Sequence, residues 1–253
     1  MRAPVRFRCA TFRENFSELI QSTFHPSEKR SGPERAALAE VRGEPFACEK
    51  WKKRLTPPAH FRLFIALPVP EAVKDEFEEA QRQLRRGLPE GCVRWTSRPQ
   101  FHLTLKFLGN VAAAQLDALR GSVQTAVQKF HPLALRAERI GFFPHARSPR
   151  VIWAQVRDRE GQLPLLQQAV ESAAREFTRE PAEEKFTGHV TLGRAKRIHR
   201  REAESLFKLA LGMTDRVFGE WTTERIEVLR SVLSPQGSTH SVLATIPLGG
   251  SAA

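Results

Sequence analysis

The sequence predicts a duplicated, two-lobed fold of mixed strands and helices. Three observations predict it. From Phe61 onward, segments with period-2 alternation are interleaved with segments of helical spacing, the same order of elements begins again at Arg150, and markers in the two copies keep nearly the same interval. His189 lies 87 residues after His102, and the "ERI" at Glu224 lies 86 residues after the one at Glu138. A single repeated half of this length points to two lobes with a cleft between them, whereas a solenoid stacks about three or more shorter repeats.

Residues 1–59 precede the pattern. They combine weak periodicity with breakers such as "HPSEKRSGPER" and carry 12 Lys and Arg against 7 Asp and Glu, so they are expected to form a flexible basic extension. The domain proper is expected over 60–248, its repeated halves at about 61–144 and 150–248 with the lobes intertwined, followed by a tail over 249–253.

"FRLFIALPV" alternates as a strand, and Pro70 then opens a helix whose apolar residues Val73, Phe77, Ala80 and Leu84 recur at helical spacing before Gly87. The strand "HLTLKFL" follows. Leu116, Leu119, Val123, Val127 and Phe130 mark a second helix, and "LALRAERIGFF" returns as a strand. In the second copy "RVIWAQV" is a strand, Leu163, Leu166, Val170 and Phe177 mark a helix, "HVTLGR" is a strand, and "EAESLFKLAL" is a shorter helix leading to the strand "TERIEVLRS". "SPQG" turns the chain into the last strand, "HSVLATIPL".

The net charge of +12, from 40 Lys and Arg against 28 Asp and Glu, favours an anionic partner, nucleic acid before a membrane surface. Cys9, Cys48 and Cys92 are odd in number and lack metal-ligand or redox spacing, which fits a reducing compartment. No apolar run long enough for a membrane span and no secretory leader is present, so a cytoplasmic protein is expected.

The chemistry resides in two strands. Side chains at i and i+2 share a strand face, so His102 and Thr104 point one way while Leu103, Leu105 and Phe107 point into the core. His189 and Thr191 repeat the arrangement, with Val190 and Leu192 behind them. Chance alone gives about half an occurrence of His-x-Thr in this composition and length. The weight therefore rests on the apolar residue between, the Leu after, and the equivalent place in a repeat. Two imidazoles across a cleft suit a reaction in which one proton leaves a nucleophile and another reaches a departing oxygen, and threonine hydroxyls can donate to phosphate oxygens. The set fits phosphodiester chemistry without a metal.

The paired "HLTL" and "HVTL", with "FIALPVP", "HLTLKFLG", "GFFPHARSPRVIWAQV" and "HVTLGR" around them, resemble the two-histidine phosphoesterases, most closely their bacterial RNA 2′,3′-cyclic phosphodiesterase branch, also called 2′-5′ RNA ligases. The resemblance implies a two-lobed α+β fold with a pseudo-twofold axis, antiparallel sheets flanking a central cleft and helices outside. It also implies a hydrolase acting on RNA 2′,3′-cyclic phosphate ends, yielding a 2′-phosphate with no cofactor or metal and capable of reversible 2′-5′ ligation. His102 and His189 would be catalytic, with His189 as base and His102 as acid, an order the sequence alone does not set. Thr104 and Thr191 would hold the phosphate. The protein would act as a monomer off the membrane. A 2′-5′ oligonucleotide or a small nucleotide cyclic phosphate as substrate, and a non-catalytic RNA-binding module, are the alternatives.

Two departures stand out: Gly188 precedes the second histidine where proline is often found, which predicts a looser approach to the strand, and tyrosine is absent, so a stacking aromatic must be Phe or Trp. Arg194 and Arg150 could hold a phosphate through their planar forks. Lys106 shares the alternating face of His102. Phe143 and Trp153 are candidates for base stacking or for core, and His145 for RNA contact. His25, His60, His131, His199 and His240 carry no supporting pattern.

Overall fold

The computed structural model of the protein describes residues 60–234 and 237–249. The expected extension over 1–59, all but the first residue of the expected tail, and Pro235 and Gln236 of the expected turn lie outside the described residues.

The expected elements form where the periodicity places them: β1 (His60–Pro68), α1 (Glu71–Arg85), β3 (His102–Ala112), α2 (Leu116–Val127), β4 (Leu133–Phe143), β5 (Val151–Asp158), α3 (Gln162–Ala174), β6 (His189–Ala195), α4 (Arg200–Leu211), β8 (Arg225–Ser234) and β9 (Gly237–Pro247). Pro70 precedes α1 in extended conformation, and Val73, Phe77, Ala80 and Leu84 are buried along one side of that helix. Two further strands escaped the sequence. β2 (Val93–Trp95) has only three residues, too few to show a period, and β7 (Val217–Thr223) is broken by Gly219. Gly219 takes a φ of 153°, and a Cβ there would stand 2.8 Å from Cγ2 of Val73, so the helix α1 can lie this close only over a glycine.

All strands among the described residues pair antiparallel in one nine-stranded sheet, in the order β7-β4-β5-β6-β3-β1-β8-β9, with β2 attached to β6. The expected sheets are thus joined into one. β4 pairs with β5 and β7 of the second repeat, while β8 pairs with β1 of the first. At the centre, β3 and β6 meet through the pair Leu103 and Val190. These residues are fully buried, and their neighbours His102, Thr104, His189 and Thr191 turn to the opposite face, so the central pair brings both motifs to one side of the sheet. α2 packs on α3, and α3 on β3 and β5, covering the apolar face. Among the described residues no helix is long and apolar enough to cross a membrane.

The alternation of β3 fails after Thr104. Against β1, Ile65 pairs with Lys106 but Ala66 with Thr104, so Leu105 is an extra residue, and a second shift follows at Leu108. Lys106 and Phe107 therefore exchange the sides expected of them. Lys106 is buried on the helical side, where its Nζ lies 2.7 Å from Glu171 Oε1 on α3 and donates to the Pro181 carbonyl at 2.8 Å. Phe107, 55% exposed, faces the histidines instead.

This buried pair is costly to break from one side, because a stranded charge loses its partner but not its desolvation. Glu171→Ala should lower stability by about 3 kcal/mol in urea unfolding, the low end for such a loss, since Glu183 is near enough to Lys106 to recover part of it.

Candidate active site

His102 and Thr104 from β3, and His189 and Thr191 from β6, line one cavity of about 540 Å³. Pairing fixes both strands: Pro68 and Ala66 of β1 stand opposite His102 and Thr104, and Gln155 and Trp153 of β5 opposite His189 and Thr191. The short 3-10 turn Arg98–Gln100 leads into β3 and is tied to α1 by Arg98, which reaches Glu71, Asp75 and Glu78 at 2.6–2.9 Å. The approach of β3 to the cavity is thereby fixed against a helix.

The two histidines have unlike surroundings. His189 Nδ1 lies 2.7 Å from the Thr187 carbonyl, which can only accept, so Nδ1 carries the proton and Nε2 is left to exchange one. Its ring abuts Phe143 edge-on at 5.1 Å, and Phe143 in turn stacks on Trp153 at 4.8 Å. Burial lowers the pKa of His189, while the carbonyl of Thr187 opposes the shift. His102 Nδ1 is buried without a hydrogen-bond partner among the described residues. Burial first, and then the nearby His240, press its pKa down to about 3; the backbone of Gln100 acts the other way. Both shifts favour the uncharged imidazole, and more strongly at His102 than at His189.

Of the expected arginines, Arg194 lines the cavity and Arg150 does not; Arg150 is exposed at the start of β5, where its backbone bonds to Phe143 and Ala195. Phe143 and Trp153 are a buttress behind His189 and are not among the cavity's lining residues, and His145 lies in a separate groove beside α4. The sequence missed Arg94, Phe107 and His240, all of which line the cavity. Arg94 stands opposite Arg194 in the β2–β6 pair, and its charge, after burial, holds the Arg194 guanidinium below its ordinary pKa. Two guanidinium groups and an exposed aromatic ring can receive a phosphate and a base. Among the described residues no group of three or more His, Cys, Asp or Glu side chains could hold a metal ion.

Gly188 gives a close approach rather than a loose one. Its carbonyl accepts from the Val156 N–H at 2.9 Å, and a Cβ on it would stand 2.5 Å from the Val156 carbonyl oxygen and 3.0 Å from Leu163. Only the missing side chain lets β5 lie flat against the start of β6.

Known proteins resemble this chain over the same region. The family model described as LigT like phosphoesterase matches residues 67–153, which include the first His-x-Thr. An RNA 2′,3′-cyclic phosphodiesterase of Thermus thermophilus is 33% identical over 198 residues, 75% of this chain and 91% of that one. A protein of the same name from Archaeoglobus fulgidus is 28% identical over 184 residues, 72% of this chain and 97% of its own. A crystal structure of a Thermus thermophilus protein superposes with a TM-score of 0.61 at 28% identity, covering 75% of this chain and 98% of that one.

Gly188→Ala forces backbone apart where a glycine now fits. Overpacking of this kind costs about 1–3 kcal/mol, which at about 2–4 °C per kcal/mol in a domain of this size lowers the thermal midpoint by several degrees. Scanning calorimetry of the variant reads it.

Proposed function

The chain belongs to the LigT-like phosphoesterase family, and on that premise we propose that it opens RNA 2′,3′-cyclic phosphate ends to 2′-phosphates in the cytoplasm, with His102 and His189 moving the protons. The observation that carries this reading is the convergence of both His-x-Thr pairs on one cavity with Arg94 and Arg194. Water attacks phosphorus, the bond from phosphorus to the 3′ oxygen breaks, one imidazole takes the proton of the water and the other supplies one to the departing 3′ oxygen. Thr104 and Thr191 donate to the non-bridging oxygens, whose charge grows in the transition state, and the guanidinium groups offset that charge. Phe107 offers a face to the terminal base. If a 5′ hydroxyl takes the place of water, the same steps join two ends through a 2′-5′ linkage.

The surroundings of the histidines favour a definite order. A carbonyl acceptor at Nδ1 steadies an imidazolium, and His189 has one. The Gln100 backbone acts on His102 in the same sense but makes no hydrogen bond of ordinary geometry with it, and His102 is the harder of the two to charge. His102 is accordingly the base and His189 the acid, the reverse of the order the family resemblance implies.

The defining experiment incubates the protein with an RNA oligonucleotide ending in a 2′,3′-cyclic phosphate in EDTA and identifies the product. A 2′-phosphate is expected; a 3′-phosphate, or loss of turnover on chelation, overturns the reading. His102→Ala and His189→Ala should each lower kcat by about a hundredfold or more. A substrate with sulfur as the 3′ leaving atom, which departs without a proton, should restore the His189 variant and leave the His102 variant inactive. Restoration of the opposite variant reverses the roles.

A further inference from the structure

His240 on β9 is a third histidine of the cavity, and the reaction proposed above does not employ it. β9 reaches the site through β8 and β1, with His240 opposite Ser231 in the β8–β9 pair. Its ring meets two others. The centroids of His240 and His102 are 5.2 Å apart with their planes at 69°, and those of His240 and Phe64 are 4.9 Å apart, also at 69°. Phe64 in turn lies 4.7 Å from His102. These separations and edge-on angles are those of packed aromatic pairs.

The cluster adds to a weaker backbone contact than the one that holds the other motif, the Gln100 backbone acting on His102 without a hydrogen bond of ordinary geometry. His189 is held at Nδ1 by the Thr187 carbonyl, whereas Nδ1 of His102 and Nδ1 of His240 are both buried without a partner among the described residues. A ring with no hydrogen bond at its rear atom is free to turn about its side-chain torsions unless packing stops it. Phe64, 3% exposed, walls one side of His102, and His240 closes on it from another strand.

We propose that His240 is a positioning residue for His102, holding its imidazole in place by edge-on packing and setting a second ionisable ring against it. The proposal rests on the reaction assigned above, in which His102 must be neutral. A phenyl ring at this position would supply the packing without the charge. The titratable and charged groups that share the cavity with the two rings are His189, Arg62, Arg94, Arg194 and Glu180. All but Glu180 add positive charge or can acquire it, so the surroundings work in the same direction as His240. As the pH falls, a proton on His240 raises the work of placing a second one on His102, and the base stays unprotonated to lower pH than its own chemistry allows.

Two substitutions separate the parts. His240→Gln removes both ring and charge; His240→Phe restores the ring alone. With the cyclic-phosphate oligonucleotide, His240→Gln should lower kcat at the optimum by tens-fold with less than threefold change in KM, and His240→Phe should recover most of that loss. In both variants the acid limb of the rate profile should move to higher pH. Independently of turnover, the imidazole protons of His102 should titrate at higher pH in His240→Gln than in the parent protein by NMR. A kcat change without recovery by phenylalanine overturns the packing role, and an unmoved His102 titration overturns the charge role. If the parent protein does not turn over the oligonucleotide, the assigned reaction fails, and the titration still decides whether the two rings are coupled.

Discussion

Leu103 on β3 and Val190 on β6 join the two halves of the sheet, and the geometry of the site depends on their pairing. Both are fully buried, so the register of β3 against β6 is set by the removal of apolar surface from water rather than by polar contacts in the cavity. A shift of one residue would turn a histidine into the core and a leucine into the cleft. The functional face is thus the necessary complement of the apolar one, and Thr104 and Thr191 need no contacts of their own to be brought together.

Duplication supplied two equivalent motifs, but the strands behind them differ. β4 and β5 back His189 with Phe143 and Trp153, Gly188 lets β5 lie close, and the Thr187 carbonyl meets Nδ1. On the other side, β1 and β9 surround His102 with Phe64 and His240. The same residue type in the same local pattern is held by a close hydrogen bond as well as rings in one copy and chiefly by rings in the other. Environments that push two like groups apart in proton affinity are what a base and an acid require of one another.

The sequence was informative wherever the signal was local. Helices and long strands declared themselves by period, and the two His-x-Thr pairs by repetition. What it hid depends on pairing between distant segments. Phe107 and Lys106 changed sides because β3 bulges against β1, and nothing within "HLTLKFLG" records the extra residue. His240 looks like any polar residue of an alternating strand; its meaning comes from the order β3-β1-β8-β9, which carries it to the cavity. Arg94 sits on a three-residue strand that no period could reveal, and Arg150, promising by position, is exposed and not among the residues that line the cavity. Gly188 was read as slack and is a close contact, a difference visible only once Val156 is known to lie beside it.

The facing guanidinium groups of Arg94 and Arg194 have a further consequence. A cyclic diester carries a single negative charge, whereas the monoester formed by opening it approaches two near neutrality. Positive charges that are close enough to weaken one another gain more from the second species than from the first. On the reaction proposed above, an opened end is therefore gripped harder there than the cyclic one. On that reaction, added salt or free phosphate, by loosening that grip, shortens the residence time of the spent end.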